Sequence, residues 1–343
     1  MIVRGIAIAA PALLIFGALL SSADVAFGKL IVDVFGFEIA EWFRHILVTF
    51  VIAAICAGFL RSLLFSGPAP TFTKPGFLRL PSAETNIAIG LIDLLFAAFV
   101  AVQFRYFFGG TSTMKVAGLT YSEYARRGFF ELVAVITLAL PMLLVIEWLI
   151  DKNRGTRVFR MLAAIQIALI LVIAFSAYRR MQLYRDEYGL TEERLYATAF
   201  MIWLVVLLIW FAATVLTGHR AQFAAGVLAT GVAAVVILHA INPDTLILRT
   251  NLARAPESKH PFDALYASML SYDAAPVLAA NAHAFDLEPC RLESYVANYV
   301  IEPPATGWRS WNLSRVRAAE AFKIHRAEMD SVARRCVRKQ VSD

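Results

Sequence analysis

Apolar runs long enough to cross a bilayer recur along the chain, separated by short polar or charged breaks. Seven of them, at about residues 5–22, 44–65, 84–108, 128–150, 160–178, 195–217 and 222–241, predict transmembrane helices. Residues 243–343 lose this pattern and read as a hydrophilic tail with helical segments at 263–269, at 273–285 and after Asn312. In the last segment Val316, Ala319, Phe322, Ala327, Val332 and Cys336 form a loose apolar face. The expected fold is therefore an all-α polytopic membrane protein. It has about seven transmembrane helices in 1–242 and a helical, extramembrane C-terminal domain in 243–343. The first run reads as a retained span rather than a cleaved signal, and residues 24–42, where acids alternate with aromatics, as an interfacial or re-entrant segment.

Two charged aromatic segments interrupt this pattern. In TYSEYARRGFFE, Thr120 and Glu123 have capping-box spacing, so a helix is expected to start there and continue unbroken into the fourth span. Glu123, Arg127 and Glu131 share one stripe of that helix, and Glu131, a turn inside the apolar run, requires a partner such as Arg127. In RRMQLYRDEYGLTEE, Gly189 suits a helix C-terminus and Thr191 the cap of the next helix. Gly226, Ala229 and Gly231 in the seventh span suit close helix packing.

Composition agrees with the pattern. The 343 residues are 59% hydrophobic and 17% charged, with a mean hydropathy of +0.64, well above the apolar share of soluble domains. A net charge of +6 in a soluble protein would raise nucleic acid as a partner. Here the excess lies largely in short loops, so no nucleic-acid partner is expected and the main partner is the lipid bilayer. The net-positive loops at 61–83, 151–160 and 218–222 put the N-terminus in the cytoplasm and the tail outside, in the periplasm of a bacterial inner-membrane protein. The loop with Arg126 and Arg127 runs against that pattern. Cys290 and Cys336 in the tail are a possible disulfide pair in such a compartment. The spacing of cysteine and histidine offers no metal site, and no cofactor is expected.

Several strings carry a family likeness: RGIAIAAPALLIFGALLSSAD (Arg4 to Asp24), QFRYFFGG (Gln103 to Gly110), TYSEYARRGFFEL (Thr120 to Leu132), RRMQLYRDEYGLTEERLYA (Arg179 to Ala197), NPD (Asn242 to Asp244) and WRSWNLSR (Trp308 to Arg315). They resemble the bacterial membrane proteins catalogued as domain of unknown function 4173, related to number 4153. The resemblance covers almost the whole chain and implies a multi-pass bacterial membrane protein without an established reaction.

On the inferred topology the outer ends of the spans gather Gln103, Arg105, Tyr106, Glu123, Arg126, Arg127, Glu131, Arg179, Arg180 and His239. Paired arginines grip carboxylate or phosphate in bidentate fashion, and Glu131 with His239 supplies an acceptor and a donor of protons. The competing reading is an interfacial girdle of salt bridges. Asp93 and Glu147 lie deeper, as intramembrane polar positions. The expected function is that of a non-catalytic accessory, sensing or scaffold protein with a membrane or periplasmic protein partner. A small-solute or ion transporter and a lipid-substrate enzyme are the alternatives. No inverted repeat supports the first alternative, and no nucleophile or metal motif the second.

Overall fold

The computed structural model describes residues 2–35, 81–108, 128–150, 156–257, 262–285, 290, 292, 295–296, 311–332 and 334. Among them every regular element is a helix. In order these are α1 (Ile2–Ala23), α2 (Val25–Phe35), α3 (Ser82–Phe108), α4 (Phe129–Leu149), α5 (Thr156–Tyr188), α6 (Glu192–Thr214) and α7 (Ala221–Ile241). There follow α8 (Pro243–Arg254), α9 (Ala264–Ala267), α10 (Ala275–Ala280) and α11 (Leu313–Ile324), with short 3₁₀ turns between them. Six helices, α1 and α3 to α7, are long and apolar enough to cross a membrane. The second expected span, 44–65, lies outside the described residues.

The chain forms two compact units. The first comprises Met1–Leu183 and Phe200–Thr230. In it α1 packs along α3 and also against α4. Gly5 admits the side chain of Ile87, since a Cβ there would come within 2.9 Å of it. Further along, the rings of Phe16 and Phe96 meet edge to face at 5.1 Å, as do those of Phe27 and Phe99. α1 and α3 therefore run in the same direction. The joint between α1 and α2 is the single residue Asp24, whose Oδ1 accepts from the N–H groups of Ala26 and Phe27 and so caps α2. Residues 25–35, within the 24–42 stretch read as interfacial or re-entrant, form a capped helix.

Close packing at small residues recurs between α6 and α7. A Cβ on Gly226 would lie 1.8 Å from the Trp210 indole nitrogen, so only glycine lets this ring reach the α7 backbone. Elsewhere α7 carries exposed Leu228, Val232, Val235 and Val236, as a helix in contact with lipid does.

The second unit comprises Tyr184–Ala199 and Gly231–Asp343. Its core joins Leu190, Ile247, Leu248, Leu278, Phe285 and Val332 with a group of buried alanines. Asn242, in the left-handed conformation with φ 56°, opens α8 by accepting from the Thr245 N–H, and Pro243 occupies the first helical position. Asp244 then receives the backbone N–H and the hydroxyl of Ser271. Asp263 caps α9 and Asn312 caps α11. The expected 273–285 helix is a 3₁₀ turn, α10 and a second 3₁₀ turn, with Asn281 (φ −125°, ψ 34°) leaving the helical conformation after α10.

The fourth span departs from expectation at its start. Gly128 is left-handed (φ 84°), not helical as an unbroken helix from Thr120 would require, and α4 begins at Phe129. Residues 120–127, with the Thr120 capping box, lie outside the described residues. The helix of the fifth span continues beyond 178 to Tyr188, since Met181, Gln182, Leu183 and Arg185 are good helix formers, and it ends at Gly189, the expected helix C-terminus.

Candidate functional site

Three sequence strings of the first unit converge on one point. Arg180 of α5 donates from Nη2 to Asp24 Oδ2 at 2.8 Å and from Nη1 to the carbonyl of Ala23 at 2.9 Å. Arg180 is 2% exposed and Asp24 3%. Gly128 closes on the same spot, since a Cβ there would lie 2.1 Å from the Ala23 oxygen. Ala23 and Asp24 are thus held by a guanidinium and covered by the Gly128 backbone. Arg180, one of the expected ligand-gripping residues, spends its guanidinium on the protein itself.

The other expected residues are distributed as follows. Gln103 is buried, Glu131 half-buried and Arg179 exposed, with Arg179 donating to Gln182 at 3.1 Å. Glu131 has no ion-pair partner among the described residues. Glu147 pairs with Arg220 at 2.9 Å. Asp93 is buried within α3. His239 is exposed and belongs to the second unit. Arg105 and Tyr106 fall on α3, while Glu123, Arg126 and Arg127 lie outside the described residues. Cys290 is disulfide-bonded; Cys336 lies outside the described residues. Trp311 is exposed, and the Arg315 guanidinium sits 5.6 Å from the centre of the Tyr272 ring.

The second unit holds a cavity of about 250 Å³ that sequence reasoning missed. It is built on the joint between α5 and α6. Gly189 ends α5 in the left-handed conformation (φ 81°), its N–H bonded to the Arg185 carbonyl at 2.8 Å. The Thr191 carbonyl accepts the first bond of α6, from Leu195, at 2.9 Å. Between them, Leu190 is clamped by Asn251 of α8: its N–H donates to Asn251 Oδ1 at 2.7 Å and its carbonyl accepts from Nδ2 at 2.8 Å. Two arginines cover the carbonyls that the end of α5 leaves open. Arg254 donates to Asp186 and Glu187, and Arg194 to Tyr188 and Gly189. The Arg194 guanidinium also stacks 4.1 Å from the Tyr184 ring centre.

Arg194, Asn251 and Arg254 line the cavity, together with Asp263 and Tyr266. Leu190, Leu248, Phe262 and Leu270 supply the apolar surface. The Tyr266 hydroxyl accepts from the Glu192 N–H at 2.8 Å. Burial pushes the Tyr266 phenol above its ordinary value, partly offset by that hydrogen bond. The sequence marked Gly189 and Thr191 as helix punctuation, but Asn251, Arg254 and Tyr266 sit in stretches without a recognisable motif. Among the described residues no group of histidine, cysteine and acids could hold a metal.

Six apolar helices define the class as a multi-pass, all-helical membrane protein. The chain belongs to the family described as "Domain of unknown function (DUF4153)", whose profile matches residues 1–281. No curated protein and no solved structure matches it.

Proposed function

We propose that this chain is a bacterial inner-membrane protein of the sensing or accessory kind, which reads a small solute in the cavity at Gly189. One observation carries the reading: the polar wall of the cavity consists of the side chains that hold the joint between two spans. A solute that competed for Arg194, Arg254 or Asn251 would alter the capping of α5 and the clamp on Leu190. Occupancy would then be linked to the angle at which α6 leaves α5. Two guanidiniums facing apolar residues suit a solute with an anionic head and a small apolar body.

In this reading the N-terminus is cytoplasmic and the C-terminal helices are periplasmic, available to a protein partner. The disulfide at Cys290 supports an oxidising compartment, and Cys336 is the partner we assign to it. The strings quoted above further relate the chain to domain of unknown function 4173. The cluster around Arg180 is a structural lock, which leaves the cavity as the better site.

The test is thermal unfolding of the protein in nanodiscs against a panel of small carboxylates and phosphate esters, with a C-terminal topology reporter in cells. A panel member that raises the melting temperature of the wild type but not of Arg194→Gln, together with a periplasmic reporter, supports the reading. A panel without effect, or a cytoplasmic reporter, overturns it.

A further inference from the structure

Three oxygen acceptors on α3 have no hydrogen-bond partner among the described residues: Oδ1 of Asn86 and both carboxylate oxygens of Asp93. Asp93 is 6% exposed, in the middle of a helix that qualifies as a membrane span. Asn86 and Asp93 are seven positions apart, two helical turns, and so lie on nearly the same face of α3. Gly90 sits between them, and a Cβ there would meet nothing within 4 Å. The face therefore presents unsatisfied oxygens around a gap.

The described surroundings supply no counter-charge. Among the described residues no cation lies within ion-pair distance of Asp93. Of the helices packed on α3, α1 carries only Arg4, which is exposed, and α2 carries Lys29 and Asp33, both exposed. On α3 itself the nearest charge is Glu84, of the same sign and nine positions away. Asp24, at the joint of α1 and α2, is already paired with Arg180. A carboxylate buried in a span without a partner is among the costliest groups a membrane protein can hold, and positions that keep one mark proton or ion sites.

We propose that Asp93 is an intramembrane binding site for a small monovalent cation, a proton or an alkali ion, approached along the Asn86–Gly90 face of α3. The cation supplies the missing positive charge, and the gap at Gly90 leaves room for it or for water beside the carboxylate. Hard oxygen donors without sulfur or imidazole fit such a cation. This site is independent of the cavity at Gly189 and stands or falls separately.

The test is thermal unfolding of wild type and Asp93→Asn in nanodiscs, over a pH series in choline chloride and again with sodium chloride at equal ionic strength. If the ion is a proton, the wild type melts several degrees lower at alkaline than at acidic pH, sodium changes nothing, and Asp93→Asn is flat. If it is an alkali ion, sodium restores the alkaline wild type and leaves Asp93→Asn unaffected. A constant offset between the two proteins at every pH and in both salts overturns the site. Should Asp93→Asn fail to fold, dicyclohexylcarbodiimide labelling of the wild type decides by peptide mass spectrometry. An adduct at Asp93 that is suppressed by alkaline pH or by sodium supports the site, and labelling that neither changes, or none at all, overturns it.

Discussion

Arg180 and Asp24, 156 positions apart in sequence, form a 2.8 Å ion pair in which both side chains are almost fully buried. Each partner has further bonds: Asp24 caps α2 and Arg180 also holds the Ala23 carbonyl. Such a pair contributes little over an apolar replacement of both residues, but breaking it from one side leaves a buried charge, at a cost of about 3–5 kcal/mol. Arg180→Ala and Asp24→Ala should each lower the melting temperature in nanodiscs sharply. The double variant Asp24→Asn with Arg180→Met should lose less than the sum of its two single changes, because it strands no charge. A double-mutant cycle by intrinsic tryptophan fluorescence measures this; additivity would mean that the two residues do not act as a pair.

Gly128 faces two separate restrictions. Its φ of 84° disfavours any side chain, at about 1 kcal/mol or more, and a Cβ would collide with the Ala23 oxygen at 2.1 Å. Gly128→Ala should therefore destabilise by more than left-handed strain alone, and it should displace Ala23, the residue whose carbonyl Arg180 holds. The expected signature is a loss that is non-additive with Arg180→Ala. Independent losses would show that the two contacts are separate.

How much of this was visible in the sequence depends on the range of the interaction. Six of the seven expected spans, the helix stop at Gly189 and the start of the next helix after Thr191 follow from local composition and local backbone preference, and the structure has them; the span at 44–65 lies outside the described residues. The roles of Arg180 and Gly128 do not, because each is defined by a residue more than a hundred positions away. A buried arginine that ties helices together and an arginine that waits for a ligand look alike in one sequence. Gly128 stood in plain view inside ARRGFFE, yet the helical pattern around it concealed the break. The cavity was invisible for the same reason: Asn251, Arg254 and Tyr266 gain meaning only when α8 and α9 lie beside residues 186–194.

Asn251 holds Leu190 by accepting from its N–H and donating to its carbonyl. Asn251→Ala abandons both backbone groups, each worth about 1–3 kcal/mol when left unsatisfied in a buried place. Asn251→Asp keeps the acceptor and loses the donor, so it should lie between alanine and wild type. Hydrogen exchange at the Leu190 amide reads the effect at its origin: fast in Asn251→Ala, still slowed in Asn251→Asp. Equal protection in all three would show that the clamp does not hold the joint.

Tyr295 provides a pH test of the second unit's core. Its hydroxyl donates to the Ser271 carbonyl at 2.8 Å, and burial, aided by the nearby Tyr272, Asp244 and Asp273, raises its pKa well above the ordinary phenol value. The folded protein therefore holds this proton more tightly than the unfolded chain does. The stabilisation is fully present below the unfolded pKa of about 10 and is lost as pH climbs from there through the folded value. Tyr295→Phe gives up one hydrogen bond at every pH, about 1 kcal/mol, but has no phenol to ionise. Its melting temperature should start lower than that of the wild type near neutrality and fall less steeply in the alkaline range, so that the two curves converge. Parallel curves across that range would mean that Tyr295 does not govern the alkaline limit of this core.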